Sequence, residues 1–136
     1  MSAEIAVTVD NVILCKSKDR FKIVLIKRKN DPFKGKWALP GGFVEENEDL
    51  PDAAKRELKE ETGLIVENNE QVGTFGKPNR DPRGRMISVV YLSLINSEEK
   101  LKGDSDAADA RWFSIDNLPK LAFDHDEIIK TAYQYL

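Results

Sequence analysis

The chain has 136 residues, 40% of them apolar and 33% charged, with a net charge of −3. That length suits one domain around one core, and the composition is that of a soluble globular chain. No apolar run approaches the ~18 residues of a membrane span, and no basic run offers a surface for duplex nucleic acid.

The first residues, MSAEIAVTVD, carry neither a basic start nor a signal-like apolar block. Ile5 to Cys15 alternates, rich in β-branched residues, and predicts a strand. Cys15 is the only cysteine and is expected to be a small core residue. A lone cysteine suits a reducing compartment, so a cytoplasmic location is expected. Lys16–Arg20 reads as a polar turn, and Phe21–Arg28 as the second strand of a hairpin. Asn30–Lys36, with Asp-Pro and Gly, is a loop. Trp37–Leu39 is a short strand stopped by Pro40.

A helix is expected from about Asp49 to Glu61. Pro51 is tolerated in its first turn, and Gly63 supplies a left-handed stop. On a wheel of 100° per residue, Leu50, Ala54 and Leu58 form an apolar stripe, with Lys55, Lys59 and Asp52 opposite. Glu61 falls inside the stripe, Glu57 at its edge and Glu60 one step further round. Two carboxylates about 4 Å apart repel by roughly 4 kcal/mol at an effective dielectric of 20, and burial adds a desolvation cost. A divalent cation removes both penalties. With only oxygen donors at hand, Mg²⁺ or Mn²⁺ fits better than Zn²⁺.

Strands are expected near Ile65–Val66, Gln71–Phe75 and Met86–Ile95. The last is apolar on both faces and so central in its sheet. Between the last two, Gly76–Arg85 packs Lys77, Arg80, Arg83 and Arg85 into a loop stiffened by Pro and Gly. Guanidinium groups of this kind bind phosphate bidentately and stack on bases. Asn96–Asp109 is polar and acidic and expected to be mobile. Ala110–Ser114 is a strand, Ile115–Leu118 a helical turn, and Asp124 caps a final helix whose Ile128, Ala132 and Leu136 face inward, with Ile129 and Tyr133 beside them. His125, the only histidine, is read as a capping or packing residue rather than a general base. There are no repeats, low-complexity tracts or linkers, so residues 1–136 read as one domain. The element order predicts an α/β sandwich with a mixed sheet.

Gly42, Glu48, Arg56, Glu57, Leu58, Glu60, Glu61, Gly63 and Leu64 fill every position of the Nudix box, and Trp37, Leu39 and Pro40 resemble the family's approach to it. The chain is thereby identified as a member of the Nudix hydrolase family, and the flanking strands resemble its α/β/α fold. Pro78, fifteen residues past Gly63, resembles the mark of the ADP-ribose pyrophosphatase branch. So do Asp81, Pro82, Arg83, Arg85, Ser88 and Tyr91, and the later run Phe123 to Asp126.

The resemblance implies Mg²⁺-dependent hydrolysis of a nucleoside diphosphate linked to X, here ADP-ribose, to AMP and ribose 5-phosphate. It implies Glu57 and Glu61 as metal ligands, Glu60 directly or through water, and the carbonyl of Gly42, where a Gly pair lets the backbone come close. Arg56 and Glu48 become an ion pair that fixes the glutamates. The general base lies among Glu98, Glu99, Asp104 and Asp106, with Glu60 the rival inside the box. Arg28, Phe33, Arg80, Arg83, Arg85 and Ser88 are candidate substrate contacts, and a homodimer is expected. Two other functions fit less well. One is a housecleaning hydrolase of oxidised nucleoside triphosphates. The other is an ADP-ribose-sensing regulator, for whose DNA-binding module an end at Leu136 is expected to leave no room.

Overall fold

The computed structural model describes residues 4–102 and 107–136. Its elements are β1 (Ala6–Ser17), β2 (Arg20–Arg28), β3 (Trp37–Ala38), β4 (Gly41–Phe43), α1 (Leu50–Thr62), β5 (Glu70–Phe75), β6 (Met86–Ile95), β7 (Ala107–Ser114) and α2 (His125–Tyr133). The seven strands form one mixed sheet along the path β3-β2-β1-β6-β5, with β4 joined to β1 and β7 to β2.

The period of two along each strand sorts the core into two layers. Val9 and Ile13 of β1, Val24 of β2 and Val89 of β6 pack with Ala53, Ala54 and Leu58 of α1. Val12 and Leu14, Ile23 and Leu25, and Val90 and Leu92 pack with Ile128, Ile129 and Ala132 of α2. The result is an α/β/α sandwich. No described helix is long and apolar enough to cross a membrane.

Strands β1 and β2 begin as a hairpin, pairing Ser17 with Arg20 through Leu14 with Ile23, and then diverge. One edge of β1 is occupied by β6, parallel and in continuous register from Ala6↔Met86 to Cys15↔Ile95. One edge of β2 is likewise occupied by β7. The remaining two edges face each other across a fork. Residues 37–43 fill it: β3 pairs with β2 at Ile26↔Ala38, and β4 pairs with β1 at Asp10↔Gly41. Asn11, fully buried in the crotch, donates its backbone N–H to the Pro40 carbonyl at 2.8 Å. Its side-chain amide reaches the same carbonyl at 3.1 Å and that of Ala54 at 3.0 Å, tying the wedge to α1.

Several expectations are corrected. Ile65–Val66 is not a strand: Val66 tucks into the core while Ile65 is 70% exposed, and no described strand pairs with it. Gly41–Phe43, unpredicted, is a strand because β1 offers it a free edge. β7 begins at Ala107, three residues earlier than expected. Ile115–Leu118 is a turn closed by the Asn117 N–H on the Ser114 carbonyl at 3.0 Å, and not helical. α2 ends at Tyr133, so Leu136 and Tyr133 are exposed rather than part of the inward face. Asp124 precedes α2 but makes no side-chain cap. Cys15 is buried, as expected.

Candidate functional site

The wedge delivers Gly41 and Gly42 to the flank of α1. This helix starts where Asp49 accepts the Leu50 N–H at 2.8 Å and stops at Gly63, left-handed at φ 79°. Between those ends it presents Glu61 inward, only 5% exposed, as the wheel predicts. The Glu61 carboxylate accepts the Gly41 N–H at 2.7 Å. The Glu57 carboxylate occupies the space where Gly42 has no side chain; a Cβ there would lie 2.7 Å from its Oε2.

Arg56 organises this side. It bonds Glu48 twice, at 2.6 and 2.9 Å, Glu57 at 2.8 Å, Glu60 at 3.3 Å and the Phe43 carbonyl at 3.1 Å. The Glu48 pair does most to raise the Arg56 pKa, and the same contact holds the Glu48 carboxyl below the usual range. One guanidinium thus holds three box carboxylates and the strand beside them.

A cavity of about 470 Å³, bordered by Glu57 and Glu61, is lined also by cations. Arg80 is locked bidentately to Asp124 at 2.6 and 2.9 Å, 44 residues away in sequence. Burial opposes its charge, but the Asp124 bonds prevail and raise its pKa. Arg83 pairs with Asp81 at 2.7 Å and stacks near the rings of Phe43 and Phe123, at 5.2 and 5.4 Å. Arg28 lies 5.1 Å from the same Phe123 ring and donates to the Pro32 carbonyl at 2.6 Å. Burial, and then the neighbouring Arg83, push the Arg28 pKa down. An anion between the two guanidinium groups would relieve that repulsion.

Among the expected contacts, Arg28, Arg80 and Arg83 line the cavity, as do Gly42, Arg56, Glu57 and Glu61. The others lie elsewhere. Glu60 points outward, its side chain 46% exposed. Phe33 packs edge-on against Phe123. Arg85 donates to the Gly76 carbonyl, and Ser88, buried, to the Asp10 carboxylate. Glu98 is held by Lys22 at 3.0 Å, and the Glu99 carbonyl accepts the Trp112 indole N–H at 2.9 Å; neither lines the cavity. Asp104 and Asp106 fall outside the described residues. Sequence reasoning missed Asp10, Phe43 and Glu45 as cavity residues. Only the odd acidic residue in the apolar run of β1 could have flagged the first.

His125 is 4% exposed. Its Nδ1 accepts the Leu39 N–H at 3.0 Å, which leaves the proton on Nε2, 3.8 Å from Asp10. Burial pushes its pKa below the ordinary 6.5; Asp10 and Asp124 oppose this, while Arg80 and Arg28 reinforce it. The unfolded chain therefore takes up a proton that the folded chain refuses. Stability is complete above pH 6.5 and falls as pH drops below it, by up to ~1.4 kcal/mol per pH unit. Urea unfolding across this range should show that slope in the native chain and lose it in His125→Asn. A flat native profile would show that the imidazole protonates in place.

The donors suit a hard divalent cation. Among the described residues no three His, Cys, Asp or Glu side chains are gathered as a cage. Mg²⁺ characteristically takes one or two carboxylates and completes its shell with water and phosphate oxygens. Glu57 and Glu61, either side of the bare Gly41–Gly42 backbone, supply that number.

A NUDIX domain family model matches residues 5–132. The chain is 55% identical over 126 residues to an ADP-ribose pyrophosphatase of Methanocaldococcus jannaschii, covering 92% of this chain and 71% of that protein. The NUDIX domain of Shewanella oneidensis NrtR, complexed with ADP ribose, superposes with a TM-score of 0.91 at 32% identity, covering 98% of this chain and 90% of that one. A bifunctional NMN adenylyltransferase/ADP ribose pyrophosphatase from Francisella tularensis, complexed with AMP and an Mn ion, gives 0.88 at 31% identity, with 97% of this chain covered but only 42% of the other.

Proposed function

The chain belongs to the NUDIX family, and from that premise we propose that it hydrolyses the pyrophosphate bond of ADP-ribose, giving AMP and ribose 5-phosphate. The observation that carries this reading is one cavity lined both by Glu57 and Glu61 and by Arg28, Arg80 and Arg83. Its further support is the 55% identical ADP-ribose pyrophosphatase.

Glu57, Glu61 and the Gly42 carbonyl would hold Mg²⁺, or Mn²⁺ in its place. When bound, the ion neutralises charge on the pyrophosphate oxygens and polarises the phosphorus. The arginines grip the diphosphate, and Phe43 and Phe123 offer faces to the base. Water adds to one phosphorus, its bond to the bridging oxygen breaks, and each product leaves with a phosphate. Glu45, Glu57 and Glu61 are the carboxylates on the α1 side that face the released proton. A homodimer belongs to the same reading; its support is the exposed apolar pair Ile5 and Val7 at the start of the chain's first strand. The lone buried Cys15 supports a cytoplasmic setting.

With Mg²⁺ and a nucleotide panel, ADP-ribose should be preferred, with AMP and ribose 5-phosphate separable by chromatography. A kcat/KM for 8-oxo-dGTP about ten times that for ADP-ribose would reject the substrate and leave the chemistry. Tight ADP-ribose binding without turnover would instead indicate a sensor.

A further inference from the structure

We propose that His125 is a positioning residue: its Nδ1, by holding the Leu39 N–H, fixes the Pro40–Gly42 backbone against the carboxylates of α1. Trp37 bridges Leu121 in parallel register, and its carbonyl accepts the Ala122 N–H at 2.8 Å. In a continued parallel ladder the next bond would run from the Leu39 N–H to the Ala122 carbonyl. That carbonyl instead accepts the His125 N–H at 3.2 Å, because the chain turns at Phe123, φ 52°, into α2. The Leu39 N–H is buried and would be left unsatisfied. The imidazole replaces the missing carbonyl at 3.0 Å.

Three successive residues are thereby clamped from three elements. His125 of α2 holds Leu39, Asn11 of β1 holds the Pro40 carbonyl, and Glu61 of α1 accepts the Gly41 N–H. Asp10, which accepts from Ser88, faces Nε2 and orients the ring. The next residue, Gly42, is the one against which the Glu57 carboxylate rests. His125 thus acts on the site through the backbone and needs no contact with the reacting phosphorus.

The test compares His125→Phe, which fills the volume without an acceptor, with His125→Asn, whose side-chain oxygen falls near Nδ1. Amide hydrogen exchange is followed by NMR in the metal-free, nucleotide-free protein. In His125→Phe the Leu39 amide should lose about 100-fold in protection while Val90 in β6 keeps its own; His125→Asn should restore it. His125→Leu, smaller, carries the same comparison where Phe fails to fold. Only the kinetic arm rests on the hydrolytic reading: kcat for ADP-ribose should fall at least ~10-fold in the Phe or Leu variant with KM within ~3-fold, and recover in Asn. Undiminished Leu39 protection without an acceptor, or an Asn variant no better than Phe, overturns the proposal. A native protein inert towards ADP-ribose removes the kinetic arm and faults the substrate reading, while the exchange comparison still decides the role of His125.

Discussion

Glu57→Gln and Glu61→Gln should each cut turnover several hundred-fold or more, on the order of 4 kcal/mol in barrier, while the protein stays folded. The amide keeps the oxygen that each side chain presents to its protein partner: the Arg56 guanidinium at 2.8 Å from Glu57, and the Gly41 N–H at 2.7 Å from Glu61. What it removes is negative charge beside the Gly42 backbone. The loss should therefore appear in kcat at saturating Mg²⁺ and in calorimetric Mg²⁺ binding, with thermal melts little changed. Near-normal kcat in both variants would sink the metal assignment.

The two glycines of the wedge should fail in opposite ways. A Cβ on Gly41 would lie 2.1 Å from the Val9 carbonyl oxygen and 3.0 Å from the Asp10 Cα, so the β1–β4 backbone itself would have to move. Gly41→Ala should cost about 3 kcal/mol or more and lower Tm by roughly 10 °C. The nearest atoms to a Cβ on Gly42 are those of the Glu57 carboxylate, the far end of a side chain. Gly42→Ala should melt within a few degrees of the native chain, yet lose at least ~10-fold in kcat because Glu57 is pushed aside. Melting curves and kcat on both variants check the contrast. A fully active Gly42→Ala would separate Glu57 from the chemistry.

What the sequence disclosed follows from the range of the forces involved. Helix α1 was legible to its ends, because Asp49, Gly63 and the inward Glu61 are set by local capping and a 3.6-residue period. β4 was not: two glycines in three residues give it little strand propensity, and its partner lies some thirty residues upstream in β1. Ile65–Val66 has the propensity and lacks the neighbour. Asp124 misled for the same reason, since the capping position was visible and Arg80, 44 residues away, was not. In the cationic loop the guanidinium count was readable, but the turn geometry that aims Arg83 into the cavity and Arg85 at the Gly76 carbonyl was not. Asp10 and His125 became site residues only through sheet register and the packing of α2.

The wedge in the fork also sets where the chain can change length. Residues 29–36 bridge β2 to β3 and are mostly exposed, so extra residues there can bulge into solvent at a slowly growing closure entropy. Leu39 and Pro40 have no such slack. Trp37 and Ala38 are registered on β2, and Gly41 to Phe43 on β1, so the two-residue link spans a gap fixed at both ends. One residue inserted there would shift β4 by a single position along β1 and exchange its two faces. Gly41 would move to the position beside Glu57, and a residue with a side chain would enter the slot beneath Val9 and Asp10, where a Cβ meets backbone. The distance in sequence from Trp37 to Phe43 is a fixed length in this architecture, and insertions and deletions are confined to the loops on either side of it.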